Sequence, residues 1–65
     1  MQNMIKEMRK ERKITQDDLA AAVGVTRQTI ISLENGRYTA ALVLAHKISQ
    51  YFGKAIEDIF IFEEE

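Results

Sequence analysis

The sequence predicts an all-α fold, a compact domain of five short helices. Three observations carry this. Apolar residues recur at spacings of three and four, as in Leu42, Ala45, Ile48 and Phe52, with Ser49 on the same side. Helix boundaries are written into the chain: Thr15 and Thr26 are starts, and Gly24, Asn35-Gly36 and Gly53 are stops. Nothing alternates with the strand period for long. Phe60-Ile61-Phe62 is apolar enough for a short strand, but three residues do not settle it. A chain of 65 residues buries only about 60% of its unfolded surface, so its core is small. Helices suit such a chain, since each satisfies its own backbone and needs one apolar stripe.

Asn3 can cap a first helix running to about Arg12. Ile5, Met8 and Arg12 follow its inner side, and Lys6, Lys10 and Lys13 face water. Glu7 and Glu11 have cationic neighbours at helical spacing, and this charged side reads as a solvated face. Ile14 anchors the connection in the core. Thr15 caps a second helix, and Asp18 three residues later completes a capping box. Leu19, Ala20 and Val23 share one face, with Ala20 small enough for a close crossing. Gly24 tolerates the left-handed backbone that ends the helix. Thr26 caps the third helix, Ile30 and Leu33 face inward, and Asn35 and Gly36 end it. A fourth helix is expected over residues 40 to 52. Ala40-Ala41 are good helix formers but poor caps, so Thr39 is the expected cap. A fifth covers 55 to 61, with Ile56, Ile59 and Phe60 inward.

Composition narrows the chemistry. With no cysteine, disulfides and cysteine-ligated zinc are excluded, and one histidine cannot make a metal site by itself. No apolar run approaches the ~18 residues of a membrane span, and no signal peptide is visible, so a cytoplasmic protein is expected. No repeat or long linker divides residues 1–65, which read as a single domain with a short acidic tail at about 63–65. The formal charge is -1, but it is unevenly placed. Residues 1 to 56 carry nine Lys or Arg against five Asp or Glu, a net of +4, and residues 57 to 65 carry five acids. An acidic tail held away from a basic face leaves that face usable, and one lying over it does not. Asp17-Asp18 belongs to a helix start, where anions stabilise the dipole. No paired carboxylates are expected in a plausible cleft, and no nucleophile has a histidine partner that spacing suggests. An enzyme is not expected, nor a cofactor, nor a metal.

Thr15-Gln16, Leu19-Ala20, Gly24, Thr26, Ile30 and Glu34-Asn35-Gly36 fall in one register. Together they resemble the helix-turn-helix of the phage repressor family, of the Cro/CI or XRE type. The resemblance runs from about Ile5 to Phe60. It implies a lambda-repressor-like fold and a sequence-specific transcriptional regulator of double-stranded DNA, with helix 26–34 entering the major groove. Phage repressors, plasmid or restriction-system controllers and antitoxins have this form. The base-facing positions it implies are Arg27, Gln28 and Ser32. Gln28 suits adenine, and Arg27 suits guanine or a phosphate. Ser32 is short, and its size can instead let the helix lie close to the groove. Thr29 and Ile31 are further candidates: Thr29 closes its own cap or touches a thymine methyl, and Ile31 does the latter or lies at the core's edge. Backbone contacts are implied for Thr15, Gln16, Thr26, Asn35 and Arg37, with Gln16 also bracing the start of the recognition helix. Tyr38 reads as packing against the fourth helix. The resemblance further implies a buried or partly buried ion pair of Arg9 with Glu34. The chain departs from the family at Lys13, where glycine commonly ends the first helix, at Ala40-Ala41 in place of Pro-Ser, and at His46 in place of an aliphatic residue. His46 reads as half-buried packing or a surface cap.

One recognition helix touches few base pairs, so a homodimer on a twofold-symmetric operator is expected. Tyr51, Ile61 and Phe62 are surplus to a small core, and the resemblance implies a polar residue where Val43 stands; the four form the candidate interface, against the alternative that Ile61 and Phe62 close the core. The competing function is a protein-binding adaptor or antitoxin-type module that keeps the fold. Overall acidity, Ile31 and the tail favour it. Arg27, Gln28 and Gln16 argue for DNA.

Overall fold

The computed structural model describes residues 2–37 and 40–62. Met1, Tyr38, Thr39 and the last three glutamates lie outside them. So do the packing expected of Tyr38, the cap expected of Thr39 and the acidic tail.

Among the described residues five helices follow in order: α1 (Ile5–Glu11), α2 (Gln16–Val23), α3 (Arg27–Glu34), α4 (Leu42–Phe52) and α5 (Ile56–Ile59). The all-α prediction holds. The closest packing is between α2 and α3, and α4 also packs on α2. Ile5, Leu19, Ile30, Leu33, Ile48 and Ile59 are fully buried, so every helix sends an apolar side chain into one core. Among the described residues, no helix is long and apolar enough to cross a membrane.

Asn3 sits just before α1, where its side-chain oxygen accepts from the Ile5 N–H at 3.2 Å. Its amide nitrogen donates to the Leu33 carbonyl at 2.7 Å, tying the start of the chain to the end of α3. The first and last described segments also pair. Asn3 and Phe60 form one antiparallel bridge, flanked by Met4 N–H to the Ile59 carbonyl at 2.7 Å and Ile61 N–H to the Gln2 carbonyl at 2.9 Å. Phe60 has therefore left the helix. The fifth helix is shorter than the expected 55–61, though Phe60 is buried as expected. No longer strand exists among the described residues.

The fourth helix corrects the sequence reading twice. It begins at Leu42 rather than residue 40, and its inner stripe is Leu44, Ala45, Ile48 and Phe52. Leu42, expected inside, is 80% exposed. Leu42 stands three residues before Ala45 and Leu44 four before Ile48, so either fits a helical stripe, and packing against α2 and α5 chooses between them.

Arg12, expected along the inner side of α1, is exposed and does a different job. Its guanidinium donates to the Tyr51 carbonyl at 3.0 Å and to the Phe52 carbonyl at 2.6 Å. These carbonyls end α4, where the helix has no partners for them. The same group lies 5.1 Å from the Phe52 ring centroid, within cation–π range. Lys13 follows in the left-handed conformation, at φ 58°. For a residue with a β-carbon that conformation costs about 1 kcal/mol.

Candidate nucleic-acid interface

The pair α2–α3 is set by its termini. The Thr15 hydroxyl accepts from the Asp18 N–H at 3.0 Å, and the Asp18 carboxylate accepts from the Thr15 N–H at 2.9 Å. That reciprocal pair fixes where α2 starts. Gly24 turns the chain at φ 75°. Thr26 then caps α3, accepting from the Thr29 N–H at 3.3 Å, and the two hydroxyls bond at 3.1 Å. Leu19, Ala20 and Val23 on α2 and Ile30 and Leu33 on α3 are buried between the helices.

The Thr15 N–H bond, followed by the Thr15 hydroxyl, holds the Asp18 carboxyl below the usual aspartate range. The sign of the linkage follows. A carboxyl depressed by folding contributes stability fully present above its unfolded pKa and lost as pH falls through its folded one. Thermal melts of the wild type and Asp18→Ala should differ near neutral pH, and the gap should close in acid. A gap that persists below the aspartate range would mean that the charged bond is not its source.

The far end of α3 is held by an ion pair. Arg9 Nε donates to Glu34 Oε2 at 2.8 Å and Nη2 to Oε1 at 3.2 Å, a two-pronged contact. The side chains are 11% and 4% exposed. Arg9 Nη1 also donates to the Ile14 carbonyl at 3.1 Å. The bond to Glu34 raises the arginine pKa against the opposing effect of burial, so the group stays charged. Gln16 Nε2 donates to Glu34 Oε1 at 3.1 Å. Gln16 thus braces the last residue of the recognition helix, whereas the resemblance implies its first residues.

With both ends fixed, α3 presents one face outward. At about 100° per residue, Ile31 projects between Arg27 and Gln28, Ser32 lies beyond Gln28, and Ile30 and Leu33 point the other way. Arg27 and Gln28 are exposed, while Thr29, Ile31 and Ser32 are half-buried. Thr29 has its hydroxyl on Thr26, closing the cap. Thr15, Thr26, Asn35 and Arg37 are exposed around this face. Beside it an open groove of about 530 Å³ is lined by Arg9, Lys13, Ile14, Thr15, Gln16, Asp17 and Arg27. The groove brings Thr15, Gln16 and Arg27 together, and it adds Lys13, which the sequence reading left as a solvated charge. Its only signal there was a lysine where glycine is common. Among the described residues no group of His, Cys, Asp or Glu is placed to hold a metal ion.

The candidate interface residues divide. Val43, Ile61 and Phe62 are exposed. Tyr51 is half-buried and packs edge-to-face on Phe52 at 5.2 Å, so it is partly committed to its own core. Leu42 and Met4 are exposed apolar residues that the sequence reading did not place on the surface patch. His46 is exposed, not half-buried.

The sequence is similar to those of known proteins. A helix-turn-helix family model matches residues 5–59. An uncharacterised HTH-type transcriptional regulator of Methanothermobacter thermautotrophicus is 56% identical over 66 residues, covering all of this chain and 96% of that protein. One from Methanocaldococcus jannaschii is 51% identical over 65 residues, covering all of this chain and 98% of its own. The HTH-type regulator YgzD of Bacillus subtilis is 45% identical over 65 residues, with the same coverage of each.

Proposed function

Because the chain belongs to the helix-turn-helix family of the phage-repressor type, Cro/CI or XRE, we propose that it is a sequence-specific transcriptional regulator of double-stranded DNA. It acts in the cytoplasm as a single domain, as a dimeric repressor that occupies a twofold operator. One observation carries this reading. The start of α3 holds Arg27 and Gln28 exposed while Ile30 and Leu33 behind them are buried. A helix so presented fits the major groove, with side chains at its start reaching base edges.

Arg27, Gln28 and Ser32 read bases, with Ile31 beside them as an apolar contact for a thymine methyl and Thr29 held to its cap. Thr15, Gln16, Thr26, Asn35 and Arg37 touch the phosphates and set register. The partner copy packs on the surface that carries Val43, Ile61 and Phe62, three exposed apolar side chains.

The test is a titration against a pool of random double-stranded DNA at two salt concentrations, with the bound fraction sequenced. A twofold-symmetric motif is expected, with affinity falling as salt rises. Gln28→Ala should then relax one base preference in each half-site, a loss of about 1–3 kcal/mol of discrimination per contact. Arg37→Ala should weaken all sequences alike. A pool with no enrichment and no salt dependence sinks the DNA reading. The second reading is a protein-binding adaptor or antitoxin-type module, favoured by the same exposed apolar residues, and that outcome would turn attention to them.

A further inference from the structure

We propose that Lys13 is an anchor for a DNA backbone phosphate, seated on the groove between the α1–α2 turn and the start of α3. The inference rests on the DNA-binding reading and assigns a contact outside the recognition helix.

The groove is lined by three cations of unequal standing. Arg9 is neutralised by Glu34 and bonded to a carbonyl, so its charge is spent inside the fold. Lys13 and Arg27 have no ion-pair partner among the described residues. The single carboxylate in the lining is Asp17, which leaves the two free cations in excess. Gln16 has one amide hydrogen committed to Glu34 and one remaining. Thr15 accepts from Asp18 and keeps its hydroxyl hydrogen. The groove therefore offers two cations and two neutral donors on the side where α3 presents Arg27. That set of donors, with Lys13 lying outside the recognition helix, suits a phosphodiester oxygen pair.

The backbone points the same way. Lys13 holds a conformation that glycine adopts freely and that other residues adopt at a loss. A side chain retained against such strain is a reason to look for a role. Charge and strain separate cleanly at this position. Lys13→Gly removes both, Lys13→Gln removes only the charge, and Lys13→Arg keeps both.

The experiment measures binding of the full chain and these three variants to fluorescently labelled random-sequence duplex over a salt series, alongside thermal melts. Lys13→Gly should melt a few degrees higher than wild type, yet bind all duplexes about three- to tenfold more weakly at low salt. Its salt dependence should flatten by about one unit in the log–log slope. Lys13→Gln should lose the same affinity without the gain in melting temperature, and Lys13→Arg should keep wild-type affinity and slope. If wild type binds with a steep salt dependence and the Gly and Gln variants match it, the Lys13 anchor is wrong and the DNA reading stands. If the Arg variant falls with the Gln variant, a positive charge at this position does not set the affinity, and the anchor is again wrong. If wild type itself shows no salt-dependent binding, both inferences fall together.

Discussion

Glu34→Ala should destabilise the domain by about 3 kcal/mol, the low end of the cost of breaking a buried ion pair. For a chain of 65 residues the whole margin is only about 3–10 kcal/mol. The cost comes from what is left behind. Arg9 would keep its bond to the Ile14 carbonyl, but Nε and Nη2 would lose their acceptors in a place where its side chain is 11% exposed. The Gln16 amide would lose its partner too. Arg9→Met with Glu34→Leu removes both charges and leaves apolar side chains of similar reach, so the double variant should be clearly more stable than Glu34→Ala. Urea unfolding of wild type, Arg9→Met, Glu34→Leu and the double variant measures the coupling. A double variant that loses the sum of the two singles would mean that the groups act independently. The pair also aims the helix, so the double variant should fold and still bind DNA less specifically.

This pair was legible in the sequence only through the register shared by Gln16, Glu34 and Asn35-Gly36. No spacing rule links residues 25 apart. Local signals did better. The Thr15–Asp18 box, the Gly24 turn and the Thr26 cap each depend on residues at most three apart, and each stands where the sequence put it. Contacts between distant elements were invisible. Arg12 on the α4 carbonyls and Asn3 on the Leu33 carbonyl join residues 40 and 30 apart, and both side chains have an ordinary local reading as well. Phe60 shows the same limit. Its helical spacing from Ile56 is real, yet the bridge to Asn3 draws the chain out into extended backbone. For the candidate site, the resemblance implied the outward positions of α3, and the periodicity of Ile30 and Leu33 agreed with it. The groove holding Lys13 and Arg27 did not, because it exists only once α1, α2 and α3 are assembled.

Leu44→Ala should cost about 2–3 kcal/mol, and Leu42→Ala should stay within about 0.5 kcal/mol of wild type. The two leucines are two residues apart, so they lie about 200° apart around the helix and cannot both face one core. Leu44 is 7% exposed, packed with Ala45, Ile48 and Phe52, and Leu42 is 80% exposed. Truncating the first removes buried methyl groups and leaves a cavity that the small core can only partly close. Truncating the second removes surface that water already covers. The reverse ranking would mean that α4 is rotated by a residue or more, which would also draw Val43 toward the core. Repeating the melts at low and high protein concentration adds a second readout. Leu42 neighbours Val43, a candidate for the partner surface, and an interface there stabilises the folded chain only where copies associate. A Leu42→Ala deficit that grows with concentration would place Leu42 in that interface. Equal melts at every concentration would leave it as an exposed leucine at the start of a helix.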